Sequence, residues 1–340
     1  MGKYVKSGTI EMFNSPSIKS YAAAVGKKEG EGPLRDCFDA IEDDVTLGKE
    51  SWEKSESELQ KRAFSIALSK GQLAESDIGF IFAGDLLNQS VASGYSMRDC
   101  DIPFIGLYGA CSTMAESLAL ASVFVENGLS DNIAALTSSH FCSAERQFRM
   151  PVNYGGQRSP SSQWTATASG CAVVSKRDEG ASPPFVHAVT FGKVKDYGVT
   201  DASNMGAAMA GAAYDTIATH LSNTNKSIED FDCIVTGDLG KVGSEILYEL
   251  FDKDKVNIKK KHKDCGLMLY DLEKQDVHAG GSGCGCAASV LCGYFLGEIA
   301  QNKISNILFT ATGALMSPTV IQQGESIPGV AHCVHIGGVK

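Results

Sequence analysis

The chain has 340 residues, 43% of them hydrophobic and 21% charged, an ordinary globular composition that excludes disorder along its whole length. Lys and Arg number 30 against 40 Asp and Glu, a formal net charge of −10, which excludes recognition of nucleic acid or an anionic membrane through bulk charge. At about 150 residues per domain the length suits two domains, or one unit built from two halves.

The first residues contain no apolar segment of a secretory type, and no apolar run approaches the roughly 18 residues of a membrane span. The 11 cysteines have no regular spacing and read as reduced thiols of a cytosolic protein. Val25 to Arg62 is rich in Gly, Glu, Asp and Lys and holds Trp52. It reads as a surface insertion, about residues 26–60, leading into a helix over Ser57–Ser69. An apolar strand from Asp77 ends in Gly84-Asp85-Leu86. Gly109-Ala-Cys111-Ser112-Thr113 then opens a helix to Asn127 that is apolar on nearly every face. The strand Ile133–Thr137 follows, with His140 just beyond its end. A loop with glycines, a proline and Arg146, Arg149 and Arg158 leads to a strand over Thr165–Ser175.

Lys176–Pro184, charged and then proline-paired, marks a boundary. Beyond it the order repeats. Phe231–Leu239 ends in Gly237-Asp238-Leu239, and the glycine-rich turn Gly280–Cys286 opens a second apolar helix to Ala300. The strands Ile307–Ala311 and Val330–Ile336 close the chain. The repeat predicts a duplicated α/β protein with halves 1–180 and 181–340. Apolar strands alternating with helices predict parallel strands covered on both faces. Helices apolar all round lie inside, between two sheets. The expected architecture is α/β/α/β/α.

Cys111 is the leading chemical candidate, because a helix N-terminus favours a thiolate and welcomes negative charge. A nucleophilic thiol also needs a base within reach. His140 and His278 sit near strand ends on the expected ligand side, whereas His262, in Lys259-Lys-Lys-His262-Lys263, reads as part of a solvated loop. Asp85 and Asp238 end equivalent strands. The arginines of the long loop suit a carboxylate clamp. His278, Cys284 and Cys286 lack the spacing of a structural metal site, and Gly283–Ala288 lacks the strand and the acidic residue of a dinucleotide fingerprint.

The duplicated halves, the Gly109–Thr113 turn and the Gly280–Cys286 turn resemble the thiolase fold of condensing enzymes. Val25–Leu34, Glu50–Lys54, Ala83–Gln89 and Gly280–Cys286 narrow this, from about Gly8 to the C-terminus, to a resemblance to the stage V sporulation protein AD family. The resemblance implies a protein that binds dipicolinic acid (pyridine-2,6-dicarboxylate), alone or as its calcium chelate, for uptake into the developing spore and release on germination. It also implies membrane proteins of the same operon as partners, a homodimer, and a peripheral place at the inner spore membrane. Condensing enzymes pair the cysteine with a histidine after the first strand of the second half, and Thr236–Lys241 holds none. The expectation is therefore binding without turnover, the alternative being an acyl-transferring enzyme with Cys111 as nucleophile. The expected ligand site comprises Cys111, Ser112, Asp85, Asn88, His140, Asp238, His278, Gly281 and Cys284, with no cofactor or resident metal and calcium only as part of the ligand.

Overall fold

A computed structural model of the chain describes residues 2–148 and 158–338; Arg149 lies outside the described residues. In the first half, five strands form one sheet: β1 (Ser17–Gly26), β2 (Phe80–Gly84), β3 (Phe104–Gly106), β4 (Asn132–Ser139) and β6 (Ala168–Ser175). Their order is β3-β2-β4-β6-β1. β2 runs parallel to β3 and β4, whereas β6 is antiparallel to both β4 and β1. The second half repeats this with β7 (Phe185–Phe191), β8 (Cys233–Thr236), β9 (His262–Asp264), β11 (Asn306–Ala314) and β12 (Gly329–Gly337), ordered β9-β8-β11-β12-β7. β8 is parallel to β9 and β11, and β12 is antiparallel to β11 and β7. The two sheets meet edge to edge through the pair Phe185–Ser17.

The expected strand Thr165–Ser175 is two elements. Trp164–Thr165 forms β5, which leaves the main sheet and pairs with β10 (Gly281–Ser282) as a separate ribbon. The pairing joins residues 117 positions apart, so no local pattern announces it. The segment Lys3–Glu11 forms a hairpin whose second strand pairs with β7, on the sheet of the second half.

Helix α2 (Thr113–Glu126) and helix α6 (Cys284–Val290, continued through a π-turn to Ala300) lie between the layers. Their apolar residues Met114, Leu118, Ala121, Ala287, Val290 and Leu291 are wholly buried in one cluster with residues of both sheets, such as Phe82, Ala172, Phe309 and Val334. Burial on every side explains why neither helix is amphipathic. The outer faces are covered by α1 (Trp52–Gly71) on the first sheet, and by α4 (Met205–Thr224) and α5 (Gly240–Lys253) on the second. α1 starts five residues before the expected position, with Ser51 accepting the Lys54 N–H as N-cap.

His262 is not on a solvated loop. It is buried on β9, and its Nε2 meets the Thr236 hydroxyl at 2.7 Å while the Tyr248 hydroxyl meets its Nδ1 at 2.8 Å. Strand alternation turns His262 and Asp264 inward and leaves Lys263 outside.

Burial pushes the His220 imidazole on α4 down to about 3, with Lys226 adding to the effect. Its Nδ1 meets Thr190 at 2.9 Å, and its Nε2 has no partner among the described residues. The unfolded chain takes up a proton near pH 6.5 that the folded chain refuses, so His220 costs stability as pH falls below 6.5, about 1.4 kcal/mol per pH unit. Denaturant titrations from pH 7.5 to 4.5 will therefore show the stability margin of the wild type over His220→Asn shrinking as pH falls.

Candidate functional site

Cys111 sits in a single tight turn, Ala110–Ser112, that feeds α2. Ala110 takes a positive φ of 50°, a conformation costly for a residue with a Cβ. Local bonds hold the turn: the Ser112 hydroxyl donates to the Gly109 carbonyl at 2.6 Å, and the Thr113 hydroxyl donates to the Ala110 carbonyl at 2.7 Å. β11 presses against the turn from the second half. A Cβ on Gly313 would stand 2.2 Å from the Gly109 oxygen, so this approach requires glycine.

The thiol faces Asp238, at the end of β8, and the Ser282 hydroxyl, 3.9 Å away. Asp238 is fully buried. It accepts from the Ser282 hydroxyl (3.0 Å), the Gly283 N–H (2.8 Å) and the Thr312 hydroxyl (3.0 Å), and Cys111 hydrogen-bonds to it. Burial raises the Asp238 carboxyl above the usual carboxylate range. Burial likewise raises the Cys111 thiol well above its ordinary value, and the Asp238 charge raises it further. The helix N-terminus expected to acidify the thiol is outweighed: at neutral pH Cys111 is a neutral S–H donor.

The cavity at the thiol is lined by Leu86, Phe148, Thr165, Met205, Ser282 and Met316, among others, and by no histidine among the described residues. At about 30 Å³ it has the volume of one water molecule. Beyond Met316 lies an open cleft of about 450 Å³, lined by Asn88, Gln89, Tyr108, Gln147, Ser317 and Thr319 among others. Met316 is common to both spaces.

The structure places the expected site residues in several shells. Cys111 lines the cavity, with Asp238 hydrogen-bonded behind it, and Asn88 lines the outer cleft. Ser112 is buried and spends its hydroxyl on the turn. Cys284 packs with Cys111, Leu86 and Ala144, its Sγ donating to the Ser138 carbonyl at 3.0 Å. Gly281 lies in the ribbon, its carbonyl accepting from Gln163 at 2.7 Å. Asp85 is buried and accepts from the Leu87 and Ser93 N–H groups and the Ser93 hydroxyl.

The two histidines are engaged elsewhere. His140 gives Nε2 to the Val45 carbonyl (2.8 Å), receives the Cys142 N–H on Nδ1 (3.2 Å) and packs on Trp52. His278 meets the Ser159 carbonyl and the Asp276 carboxylate. Arg146 pairs with Glu53, and Arg158 reaches Asp276.

One group escaped the sequence reading. Glu56 on α1 is fully buried, receives the Ser138 and Ser143 hydroxyls at 3.0 and 2.7 Å, and stands close enough to Asp85 for their charges to repel. Burial first, and Asp85 second, push its carboxyl far upward, so Glu56 holds a proton at neutral pH. Nothing in the run Glu53–Glu58 separates it from its solvated neighbours. Among the described residues no three His, Cys, Asp or Glu side chains converge as a metal site.

A thiol in a tight turn at the head of a buried helix, inside duplicated five-stranded sheets, can now be compared with known proteins. The family described as Stage V sporulation protein AD matches residues 6–337. The chain belongs to that family. The stage V sporulation protein AD of Bacillus subtilis (strain 168) is 43% identical over 317 residues, 93% of each chain. Among solved structures, 3-oxoacyl-(acyl-carrier-protein) synthase III from Aquifex aeolicus is similar with a TM-score of 0.58 at 13% identity, covering 95% of this chain and 99% of its own. OleA from Xanthomonas campestris gives 0.59 at 12% identity, covering 96% and 99%. These likenesses establish a thiolase-like fold for the family member described here; a fold by itself fixes no activity.

Replacing Asp238 by Asn removes the charge that, after burial, holds the thiol up. The thiolate fraction of Cys111 will rise about tenfold for each pKa unit recovered. Peptide-mapped alkylation by iodoacetamide at pH 8 will show Cys111 labelled faster in Asp238→Asn than in the wild type.

Proposed function

We propose that this protein binds dipicolinic acid, without turnover, in the cleft that adjoins the Cys111 cavity at Met316, and serves its uptake into the developing spore and its release on germination. One observation carries the non-catalytic part: the Cys111 thiol looks onto a buried carboxyl group. A carboxyl at that position raises the thiol pKa where a nucleophile needs it lowered. It also offers no positive or neutral donor to an oxyanion.

The outer cleft supports the binding part. Its volume of about 450 Å³ lies in the range of small-molecule sites, whereas the inner cavity, at about 30 Å³, is too small for an aromatic acid. Asn88, Gln89, Gln147, Ser317, Thr319 and Tyr108 supply neutral amide and hydroxyl donors suited to two carboxylates on an aromatic ring. Calcium enters this reading as part of the ligand, whose ring nitrogen and carboxylates already chelate it.

Membrane proteins of the same operon are the proposed partners, with a peripheral place at the inner spore membrane. No described helix is long and apolar enough to cross a membrane. A homodimer is proposed through the first half, where the edge strand β3 leaves Phe104 and Ile105 exposed, with Tyr108 exposed just beyond it.

Equilibrium dialysis with labelled dipicolinate, with and without calcium, tests the binding. Saturable uptake by the wild type and its loss in Met316→Trp, which fills the junction of cleft and cavity, is the expected result. No saturable uptake by the wild type overturns the reading.

The acyl-transfer alternative rests on the thiolase-like fold and the position of Cys111. It is tested separately by mass spectrometry of the intact protein after exposure to acyl-coenzyme A thioesters. We expect Cys111 to remain unmodified; an acyl adduct absent from Cys111→Ser would establish the alternative.

A further inference from the structure

The β5–β10 ribbon has two faces. Thr165 and Ser282 turn toward the Cys111 cavity, so Trp164, one position earlier on the strand, turns the other way. The Trp164 ring stacks on Phe141 at 3.8 Å, nearly parallel. Two cations converge on the same indole. The Lys28 ammonium is 3.5 Å from the ring centroid and the Arg158 guanidinium carbon 4.6 Å from it.

Both cations donate to one oxygen, the Asp276 carbonyl, at 3.0 and 2.9 Å. The nearby Asp276 carboxylate is exposed and shared, meeting Arg158 Nη2 at 3.4 Å and His278 Nε2 at 2.9 Å. Arg158 Nη1 is buried and has no hydrogen-bond partner among the described residues. Burial lowers the Lys28 ammonium, and the Arg158 charge lowers it further. An adjoining cleft of about 380 Å³ is lined by Lys27, Lys28, Lys274, Glu31, Gln275 and Asp276 among others. Of its lysines, Lys274 is already paired with Asp271.

Two like charges pressed together, with a buried guanidinium N–H left over, need an acceptor that the described residues do not supply. We propose that Lys28 and Arg158, on their Trp164 platform, form a second ligand site that takes a small oxyanion, a dicarboxylate or a phosphate. The anion accepts from Arg158 Nη1 and from the Lys28 ammonium, and it displaces the shared Asp276 carboxylate. This site is separate from the Cys111 cleft and does not rest on the dipicolinate reading.

Trp164 is one of two tryptophans in the chain, so Trp52→Phe makes it the sole fluorophore. In that background, full-length protein is titrated with sodium phosphate and, in a second arm, with sodium succinate, at ionic strength held constant with chloride. We expect a saturable change in Trp164 emission in at least one arm, and the arm that responds identifies the anion as phosphate or carboxylate. The response should disappear in Arg158→Gln, persist in weakened form in Arg158→Lys, strengthen in Asp276→Asn and be untouched by Cys111→Ala. No saturable response in either arm, or one that survives Arg158→Gln unchanged, overturns the proposal. Retention of the response in Arg158→Lys shows that the loss in Arg158→Gln is not a failure to fold.

Discussion

The buried carboxyl of Asp238 ties the Cys111 turn of one half to the strand ends of the other. It stands at the end of β8 and receives donors from the β10 turn, from β11 and from the Cys111 turn of the other half. Burying a carboxyl is expensive unless its oxygens are satisfied, and here the donors come from three separate places in the chain. The cost is thereby converted into precision, because a shift of any one element strands an acceptor in a dry interior. Asp264, two strand positions beyond His262, repeats the device one strand further out. It accepts from Thr236, Leu239 and Gly240, and burial lifts its carboxyl to about 6. Asp85, at the end of β2, is satisfied more locally, by Leu87 and Ser93 of the segment that follows it. The thiolase-like frame is thus pinned at its strand ends by acids rather than by apolar contact alone.

That choice of pin decides the chemistry at Cys111. A thiol at the head of a helix is half-way to being a nucleophile, since the dipole and free N–H groups favour its anion. A neighbouring carboxyl in a low-dielectric site opposes that tendency and prevails. The thiol therefore stays protonated, and it lines a small cavity beside Met316 as a weak donor.

Legibility in the sequence followed the range of the interactions. The paired Gly-Asp-Leu endings and the two uniformly apolar helices are local patterns, and they disclose the repeated strand order and the buried helices. The β5–β10 ribbon, Met205 and Met316 at the cavity, and the Asp238–Cys111 contact join distant segments and left no local trace. Glu56 and His262 were hidden differently. Each lies among solvated charges, and which of them turns inward depends on a helix phase or a three-residue strand too short to display its period. His140 follows the end of β4, whereas His278 lies in a turn ahead of β10; their ring nitrogens are spent on Val45, Cys142, Ser159 and Asp276.

The hairpin Lys3–Glu11 lies on the sheet of the second half, with Asn223 of α4 donating to Lys6 and Thr9, and the Thr9 and Thr190 hydroxyls in contact. During synthesis this segment leaves the ribosome before every strand it pairs with, and its partner β7 follows more than 170 residues later. The pairing therefore closes a loop of more than 170 residues, a cost in chain entropy that the contacts of the finished seam must offset, and it fastens a segment of the first half to the sheet of the second.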